Sequence, residues 1–560
     1  MKQHYLFIIA LMALLVPTSA SAYSFKADNL YYNITSDSTV EVTCIRATYP
    51  SPYSGDIVIP ETVTYEDVEY TVTRIGEFAF YGSYGLTSIV IPNTVTKIGM
   101  SSFIRCRSLT SIDIPNSVTV IDGAFSECTG LKSIFIPASV ISLVGNPFDS
   151  CSGLESIVVD EDNPVYDSRE NCNAIIQTAT NKMIVGCKNS EFPSSVTSLG
   201  SWVFAGCTGL TEIHLPETFT SIPSYTFYNC TGLTSIEIPS AVTSIGYDAF
   251  RGCSNISTLE LPESLRSIDI GAFSSMSSLT SLFIPQNVYN IGEGFLLSDT
   301  ALVSLSVDSR NTNYDSREDC NAIIRTYDNR LMAGCRNTVI PNTVESLAYA
   351  AFFKCPFTTI EIPNSVALID EWAFGYCSKL EELNLPSSVK TIGQNAFCNC
   401  ESLEDVVIPD SVTSVGYQSF QMCYSLRTIT FGQSVETVGQ MAINTCDNLE
   451  SVTMKCTTPP NANGVTNYQN MYDKVILYVP NESLEDYRAH EEWSRFAHIA
   501  PFIGAGPGDV DGDGIITVSD VTTLIDMLLS GEKPAYGDID GDGQITISDV
   551  TLIIDMLLAD

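Results

Sequence analysis

The sequence predicts a repeat solenoid with a parallel β-sheet along one face, followed by a small helical module. The first observation is a unit of 22 or 23 residues that recurs many times, as in LTSIDIPNSVTVIDGAFSECTG from Leu109 and LTSIEIPSAVTSIGYDAFRGCSN from Leu233. The second is a pair of nearly identical acidic segments near the C-terminus, GDVDGDGIITVSD and GDIDGDGQITISD. A fixed period of this length is typical of solenoids, in which each coil buries its apolar side chains against its neighbours.

The composition supports a large folded protein and excludes one class of partner. The 560 residues include 65 acidic and 27 basic residues, which give a net charge of -38, and 44% of the residues are hydrophobic. This hydrophobic content is sufficient for a large core. Because an anionic surface of this size repels nucleic acid and anionic membranes, we expect no nucleic-acid partner.

The N-terminus, MKQHYLFIIALMALLVPTSASA, has the pattern of a secretory signal peptide over residues 1–22. It combines one lysine, a central apolar run and the small residues Ala20 and Ala22 at the cleavage position. The alternative is a membrane anchor, but the apolar run is too short to span about 30 Å of hydrocarbon. We therefore expect a secreted or extracellular protein without a membrane span, whose mature chain begins at Tyr23.

Each repeat unit has two halves with different predicted roles. The Leu-x-x-Ile-x-Ile half alternates as a short strand does, and the proline after it ends the strand because proline cannot donate to the ladder. The Val-x-x-Ile-Gly-x-x-Ala-Phe-x-x-Cys half returns the chain, with glycine at the corner. We count 14 clear strand segments, from Leu86–Ile91 to Leu449–Met454. With a few degenerate segments, the leucine-rich solenoid has about 17 coils and covers residues 76–456.

Two coils carry matching insertions, YDSRENCNAIIQTATNKMIVGCKN and YDSREDCNAIIRTYDNRLMAGCRN, each predicted as a hairpin. The insertions lie 148 residues apart, which indicates that a block of six coils is duplicated in tandem. Two cysteines lie symmetrically about each turn, and opposed positions in an unbulged hairpin suit a disulfide. The sequence leaves two alternatives, which are the disulfides Cys172–Cys187 and Cys320–Cys335, or four buried thiols.

The other recurring cysteines favour packing, although 18 cysteines in an exported chain would ordinarily suggest a disulfide framework. They occupy one position of the repeat, and Met276 takes that position in one unit. A position that accepts methionine is a packing position, where buried cysteine acts as a small hydrophobe. These ladder cysteines are Cys106, Cys128, Cys151, Cys207, Cys230, Cys253, Cys355, Cys377, Cys400, Cys423 and Cys446.

Both ends of the solenoid need covering, because a bare terminal coil exposes its core. Residues 23–75 alternate as strands do and are predicted to form an N-terminal β cap. Residues 457–503 combine a strand, a short helix and aromatic side chains, and are predicted to form a C-terminal cap rather than a separate functional module. The glycine-rich residues 504–508 are predicted to be a short linker to the final module.

The repeat resembles the BspA-like leucine-rich repeats of bacterial surface proteins over about residues 50–456. The string IPxSVxxIGxxAFxxC carries this resemblance and recurs more than ten times with little drift. The resemblance implies a right-handed solenoid in a secreted protein, on a bacterial cell surface, with a role in adhesion to host or matrix proteins. It does not name a ligand, which is either a protein or a glycan.

A ligand of the solenoid is expected on the outward side of the strands, where side chains vary without disturbing the core. The candidate ligand contacts are Phe135, His214, Glu237, Glu260 and Phe283. They belong to the outward position between the last two apolar residues of each strand, which holds Val90, Asp113, Phe135, Val158, His214, Glu237, Glu260, Phe283, Ser306, Glu361, Asn384, Val407, Thr430 and Thr453. Phe135 and Phe283 are either contact anchors or rings packed against the neighbouring hairpins. No nucleophile-base pair or phosphate loop can be assembled from the spacing, so we predict no enzyme.

The two acidic segments fit a calcium loop, which needs oxygen ligands at positions 1, 3, 5, 7, 9 and 12 and glycine at position 6. Position 7 contributes its backbone carbonyl, and the glycines are Gly514 and Gly543. The predicted metal ligands are Asp509, Asp511, Asp513, Ile515, Thr517 and Asp520 in the first loop, and Asp538, Asp540, Asp542, Gln544, Thr546 and Asp549 in the second.

A predicted amphipathic helix follows each loop, but none precedes it, and position 12 is aspartate, so the module is not a standard EF-hand. Residues 509–560 resemble a dockerin, whose paired loop-helix halves bind two calcium ions and dock onto a cohesin domain of another protein. Many dockerins carry Ser-Thr at loop positions 10 and 11; here these are Val518-Ser519 and Ile547-Ser548, so specificity does not carry over. The alternative is a calcium-stabilised terminal module without a cohesin partner.

Two functions from different classes follow. The leading hypothesis is a non-catalytic binding protein, in which the solenoid recognises a protein ligand and the calcium module anchors it through cohesin. The alternative is a non-catalytic subunit of a secreted, cellulosome-like assembly that degrades polysaccharide, with the solenoid contacting glycan. Because the outward strand position offers few aromatic residues and no tryptophan, the first is favoured.

Overall fold

The computed structural model describes residues 23–45, 53–502, 510, 517–530, 539 and 545–559. The chain forms two compact units, residues 1–326 and 327–560. The repeat region is a β-solenoid of about 19 turns with parallel sheets, where the sequence predicts about 17. The predicted signal peptide and the predicted linker, residues 504–508, lie outside the described residues.

Unit 1 begins with six strands, five of which pair differently from the repeat. These are β1 (Phe25–Ala27), β2 (Leu30–Ser36), β3 (Thr39–Thr43), β4 (Ser54–Val58), β5 (Thr62–Tyr65) and β6 (Val68–Ile75). β2 pairs antiparallel with β1 and β3, β5 pairs antiparallel with β6, and β6 joins β3 in parallel. Tyr32, Val40 and Val72 are fully buried among them. β4 pairs in parallel with the first repeat strand, β7 (Gly85–Val90), so the region leads directly into the solenoid.

The coils of unit 1 contribute to two rows of short strands. The first row comes from the Leu-x-x-Ile-x-Ile half, as predicted, and comprises β7, β10 (Ser133–Ile136), β12 (Ser156–Val159), β20 (Ser281–Ile284) and β22 (Ser304–Val307). The second row comes from the return half and comprises β8 (Lys97–Ile98), β9 (Val120–Asp122), β11 (Ser142–Val144), β16 (Ser198–Leu199), β17 (Ser221–Ile222), β18 (Ser244–Ile245), β19 (Ser267–Ile268) and β21 (Asn290–Ile291). Within this row, β8, β9 and β11 pair in parallel with one another, and so do β17, β18, β19 and β21, as Ile245 does with Ile268.

The second row is a departure from the prediction, which treats the return half as a turn. The first row is also less continuous than predicted. Within the described coils at 210–215, 233–238 and 256–261, it is reduced to a bridge between His214 and Glu237. The spacing of these coils is held by the second row, in which β18 pairs with β17 and β19.

Side chains of the return half form two ladders through the core. Phe80, Phe103 and Phe125 stack in sequence, with ring centroids 5.0 and 5.1 Å apart. The ladder cysteines are buried, which confirms that their position is a packing position. Most of their thiols also donate to the phenylalanine carbonyl of the preceding coil, as Cys230 Sγ does to Phe204 O at 3.0 Å.

The first insertion forms a small antiparallel sheet from β13 (Tyr166–Asp167), β14 (Ile175–Gln177) and β15 (Lys182–Val185). The second insertion contributes β23 (Tyr314–Asp315) and β24 (Ala322–Arg325) to unit 1. The Tyr166 hydroxyl accepts the Leu143 N–H at 3.0 Å, and the Tyr314 hydroxyl accepts the Ile291 N–H at 2.9 Å. Corresponding residues of the two blocks therefore make the same contact, as expected for a tandem duplication.

Of the two alternatives for Cys172–Cys187 and Cys320–Cys335, the structure has buried thiols at all four positions rather than the two disulfides. The prediction assumed an unbulged hairpin, but the β14–β15 pairing is irregular between Ile175 and Ile176. Cys172 also precedes β14, at the end of a 3-10 turn, and is therefore not a strand residue facing Cys187.

Unit 2 also contains both kinds of strand row. Its strands are β25 (Arg330–Gly334), β26 (Ser346–Leu347), β27 (Leu368–Ile369), β28 (Thr391–Ile392), β29 (Asp405–Val407), β30 (Ser414–Val415), β31 (Thr428–Phe431), β32 (Thr437–Val438), β33 (Ser451–Met454), β34 (Asn461–Ala462), β35 (Ile476–Pro480) and β36 (His498–Phe502). The repeat glycine is needed here for close approach of the coils. A Cβ on Gly416 would lie 2.5 Å from the carbonyl carbon of Gly393 in the preceding coil. Only glycine avoids that contact.

Residues 457–503, predicted as a cap, extend the solenoid. β35 pairs in parallel with β33, and β36 pairs in parallel with β35, which adds two turns to the predicted number. Two short helices, α1 (Gln469–Lys474) and α2 (Leu484–Ala489), and two 3-10 turns connect these strands. The bounds of the predicted domains remain predictions.

A buried carboxylate holds this end of the solenoid together. Glu492 accepts the Gly464 N–H at 2.8 Å and the Val465 N–H at 2.9 Å, and the Tyr472 hydroxyl also donates to it. Arg495 contacts the same carboxylate at 3.2 Å and lies over the Tyr472 ring. Although burial opposes ionisation, these hydrogen bonds hold the pKa of Glu492 below its ordinary value.

Candidate functional site

The predicted ligand-face residues lie on the outward side of the first row in unit 1. Phe135 of β10 and Phe283 of β20 are 48% and 47% exposed. Their neighbours on the adjoining strands are Val158 and Ser306. Neither ring is buried beneath a hairpin, so about half of each remains accessible for contact.

His214, Glu237 and Glu260 occupy the same outward position in the coils between these two phenylalanines, and all three are exposed. His214 and Glu237 are direct neighbours across a parallel bridge. This stretch of the face is polar and predominantly anionic. The five predicted residues therefore share one face. Each occupies the same position in its own coil, so together they form an open row along the face and not an enclosed pocket.

The structure confirms that Val90 and Val158 are exposed at the outward position, as the repeat pattern predicts, and adds Val58, which the sequence did not single out. Val58, Val90 and Val158 are 67%, 56% and 45% exposed at the same outward position. Each is an ordinary strand residue when taken alone, and Val58 lies before the regular repeat begins. Strand pairing shows that Val58 belongs to this position, since Val58 pairs with Val90 in the β4–β7 ladder.

A buried carboxylate in the core also went unrecognised. Asp299 takes the ladder position in the coil after Met276, where other coils carry cysteine. Its Oδ1 accepts the Met276 N–H at 2.6 Å, whereas its buried Oδ2 has no hydrogen-bond partner among the described residues. Burial raises the pKa of Asp299 well above its ordinary value. Aspartate in a cysteine position was the available signal.

The final module contains two equivalent helices, α3 (Val518–Ser530) and α4 (Ile547–Ala559). Leu524 of α3 packs with Val550 and Ile553 of α4 and with Val510 from the first loop. These four residues form a small core of their own, separate from the solenoid ladders. The described part of the module is therefore a helix pair, as the sequence predicts.

The aspartate at loop position 12 closes each loop. Asp520 is fully buried, and its carboxylate accepts the Val510 N–H at 2.6 Å and the Thr517 N–H at 2.7 Å. Asp549 is equally buried and accepts the corresponding N–H groups of Ile539 and Thr546, both at 2.7 Å. Positions 2, 9 and 12 of the two loops thus have the same arrangement.

Calcium fits the chemistry of these positions. Two fully buried carboxylates, each beside a threonine hydroxyl, are the hard oxygen donors that calcium prefers. Within the part of the chain that the structure describes, no group of three or more His, Cys, Asp or Glu side chains is placed to hold a metal. The remaining predicted ligands lie outside the described residues, namely Asp509, Asp511, Asp513, Ile515, Asp538, Asp540, Asp542 and Gln544.

Each helix also has an exposed apolar stripe. Val518, Ile525 and Leu529 of α3 are exposed, and so are the corresponding residues of α4, which are Ile547, Ile554 and Leu558. The match is close, because Leu529 is 81% and Leu558 is 79% exposed. The module therefore buries one face of each helix and leaves two equivalent apolar stripes uncovered. Across the described ranges, we find no helix long and apolar enough to cross a membrane.

Two family models match the chain. The model of the BspA type leucine rich repeat region matches residues 56–173, 175–302 and 331–458, with six copies of the repeat. The model of the dockerin type I domain matches residues 507–558. The first of these matches covers more than half of the chain. Among curated proteins, none matches significantly.

Several solved structures are similar to the chain. A leucine rich cell surface protein from Faecalibacterium prausnitzii is 23% identical, with a TM-score of 0.44, over 78% of this chain and 96% of its own. The pneumococcal vaccine antigen PcpA is 19% identical, with a TM-score of 0.41, over 85% of this chain and 98% of its own. A leucine-rich repeat protein from Bacteroides ovatus is 23% identical, with a TM-score of 0.33, over 86% of this chain and 100% of its own.

Proposed function

Because this chain belongs to the BspA-type leucine-rich repeat family and carries a type I dockerin domain, we propose that it is an exported, non-catalytic binding protein. The solenoid recognises a ligand, and the dockerin domain attaches the protein to a cohesin on a bacterial surface or in a multiprotein assembly. Proteins with these two features are typically extracellular or cell-surface proteins. The predicted signal peptide supports export.

The observation that carries the attachment proposal is the pair of equivalent helices in the dockerin domain. Each helix packs one face into the shared core and leaves a matching apolar stripe exposed. Exposed apolar surface on a small calcium-binding domain is the expected feature of a partner-binding face. Calcium then acts by holding the loops that position the helices, and its binding free energy contributes to folding.

The ligand of the solenoid is proposed to be a protein. The exposed apolar residues of its outward face are mainly valines, namely Val58, Val90, Val158 and Val407, with Phe135 and Phe283 as the aromatic members. Aliphatic side chains suit apolar contacts with a protein, whereas a flat ring is the better surface for a sugar. The alternative, a glycan-contacting subunit of a polysaccharide-degrading assembly, is tested by the same binding assays with soluble polysaccharides.

Attachment is tested with the full-length chain and a panel of purified cohesin domains, by calorimetry in calcium and again after chelation. We expect submicromolar binding to at least one cohesin in calcium, and at least ~10-fold weaker binding after chelation. The double change Leu529→Asp and Leu558→Asp should abolish binding, because it places charge on both stripes. Val407→Asp, an equally drastic change at an exposed solenoid position, is the matched control and should leave it unchanged. Cohesin affinity that stays the same after chelation and in the double variant would contradict the proposal.

A further inference from the structure

A column of exposed side chains crosses five neighbouring coils at the start of unit 1. It consists of Val58, Val90, Asp113, Phe135 and Val158, one from each coil, and is named here the N-terminal column. Val58 pairs with Val90, and Phe135 pairs with Val158, in parallel strand registers. Asp113 lies in the coil between these two pairs. The column therefore consists of two adjacent pairs of exposed apolar residues with one exposed carboxylate between them.

The fold does not require this apolar surface. In the duplicated block, the outward positions of the equivalent coils hold Glu237, Glu260, Phe283 and Ser306. Phe283 is as exposed as Phe135, but its neighbours are polar. Contiguous exposed apolar patches are uncommon on soluble proteins and mark interaction sites. The N-terminal column is therefore a feature added to the common repeat.

Small side chains border the column on one side. Two residues earlier in each of these coils lie Asp56, Ser88, Ser111, Ser133 and Ser156, all exposed like the column itself except Ser156, which is half-buried. The Asp56 carboxylate accepts hydrogen bonds from the Thr87 and Ser88 hydroxyls at 2.9 and 2.6 Å, which keep it against the surface. A bulky partner element can therefore lie directly over the column without displacing large side chains.

The spacing of the column selects the kind of partner element. Neighbouring strands lie about 4.8 Å apart, so the column offers one contact about every 4.8 Å. An α-helix presents one stripe residue per turn, about every 5.4 Å, whereas an extended strand presents same-face side chains about every 6.7 Å. Across the five positions, a helix drifts out of register by about 2 Å and a strand by about 8 Å. The column thus matches a helix.

Charge selects between a second copy of the chain and another protein. Asp113 is exposed at the centre of the column, and no ion pair or side-chain hydrogen bond joins it to another residue in the described ranges. A second copy laid antiparallel would bring two Asp113 carboxylates together, and each chain carries a net charge of -38. Like charges in such an interface are repulsive, whereas a cationic partner is attracted.

We propose that the N-terminal column binds an amphipathic helix of a partner protein, whose apolar stripe carries a lysine or arginine opposite Asp113. This inference rests on the proposed binding function of the solenoid and adds the class of partner and the residues that recognise it. The valines and Phe135 contact the apolar stripe. Asp113 sets the register and rejects helices with an acidic residue at that point.

The probe is a synthetic helical peptide of about 16 residues, with leucines one turn apart and lysine at the centre of the stripe. A matched peptide carries glutamate at the centre. Binding to the full-length chain is measured by fluorescence anisotropy. We expect the lysine peptide to bind at least ~10-fold more tightly than the glutamate peptide, and Asp113→Lys to reverse this preference. That reversal is a gain of binding, which a misfolded variant cannot produce.

Phe135→Ser should weaken binding of the lysine peptide at least ~10-fold. Tyr289→Ser is the matched control, because it removes an exposed ring from the return half of a coil in the same unit, away from the outward face, and it should leave binding unchanged. Three results would overturn the inference: no binding of either peptide, equal losses in the two serine variants, or self-association that Phe135→Ser abolishes. If cohesin binding by the same preparation persists while neither peptide binds, the column proposal fails and the attachment proposal stands.

Discussion

Replacing Asp299 with cysteine tests how the core of the solenoid is built. Asp299 takes the ladder position that other coils fill with cysteine, and one of its two carboxylate oxygens accepts the Met276 N–H. The other oxygen is buried without a partner among the described residues. Asp299→Cys restores the ladder residue with a similar volume and removes the unsatisfied oxygen.

The expected effect has a magnitude and a sign. A buried polar atom without a partner costs about 1–3 kcal/mol, so Asp299→Cys should raise the free energy of unfolding by about that amount at pH 7. Burial raises the pKa of Asp299 above the unfolded value of about 3.9. The folded state therefore holds the proton more tightly, and the free energy of unfolding falls as the pH rises above about 4. The cysteine variant lacks this fall, so its advantage over the wild type should grow from acid to neutral pH.

The measurement is urea unfolding of the full chain between pH 4.5 and 7.5, together with hydrogen exchange of the segment that contains the Met276 amide. Asp299→Asn removes the titration while keeping an oxygen for the Met276 N–H, so it should flatten the pH dependence with a smaller gain in stability. Met276→Cys is the control, because it changes the adjacent ladder position without altering a charge. The reasoning is refuted if Asp299→Cys is no more stable than the wild type at pH 7, or if its advantage does not change with pH.

Two further predictions concern Glu492 and Asp149. Glu492→Gln should lower the free energy of unfolding by at least about 2 kcal/mol, because charged hydrogen bonds to Gly464 and Val465 are lost. It should also speed hydrogen exchange at those two amides. The exposed control Glu485→Gln should change the free energy of unfolding by less than about 0.5 kcal/mol. Equal losses of stability in the two variants would contradict this prediction. Burial raises the pKa of Asp149 to about 6. The free energy of unfolding of the wild type, relative to that of Asp149→Asn, should therefore fall by about 1–3 kcal/mol between about pH 4 and pH 6. Above about pH 6 the difference should stay constant. Thermal unfolding across this range measures the difference, and parallel curves for the two proteins would disprove it.

Much of the fold follows from the repeat itself. A unit that recurs with little drift places the same apolar residues inward in every coil, so the position of the ladder cysteines and the strand-forming half could be predicted by period alone. The duplication also follows, since 15 of the 24 residues in the two insertions are identical and their tyrosines make the same contact. The two helices of the final module were predictable because their loops carry a specific spacing of carboxylates and glycine.

Other features needed contacts between residues that are distant in sequence. The return half forms a second row of strands because backbone groups one coil apart bond to each other, and periodicity does not distinguish that from a turn. The hairpin disulfides failed because one irregularity in the β14–β15 pairing changes which side chains face each other. The role of Glu492 was not recognised because its partners lie 27 and 28 residues earlier, in a loop without a sequence pattern.

The solenoid, its period, its duplicated block and the paired acidic segments of the final module can all be recognised in the sequence, because each is a local pattern that recurs or has a specific spacing. Which outward residues lie side by side depends on the stacking of the coils. Val58, Val90, Asp113, Phe135 and Val158 are separated by 22 to 32 residues along the chain. Coil stacking places them side by side, and it leaves them exposed because the core is already complete without them.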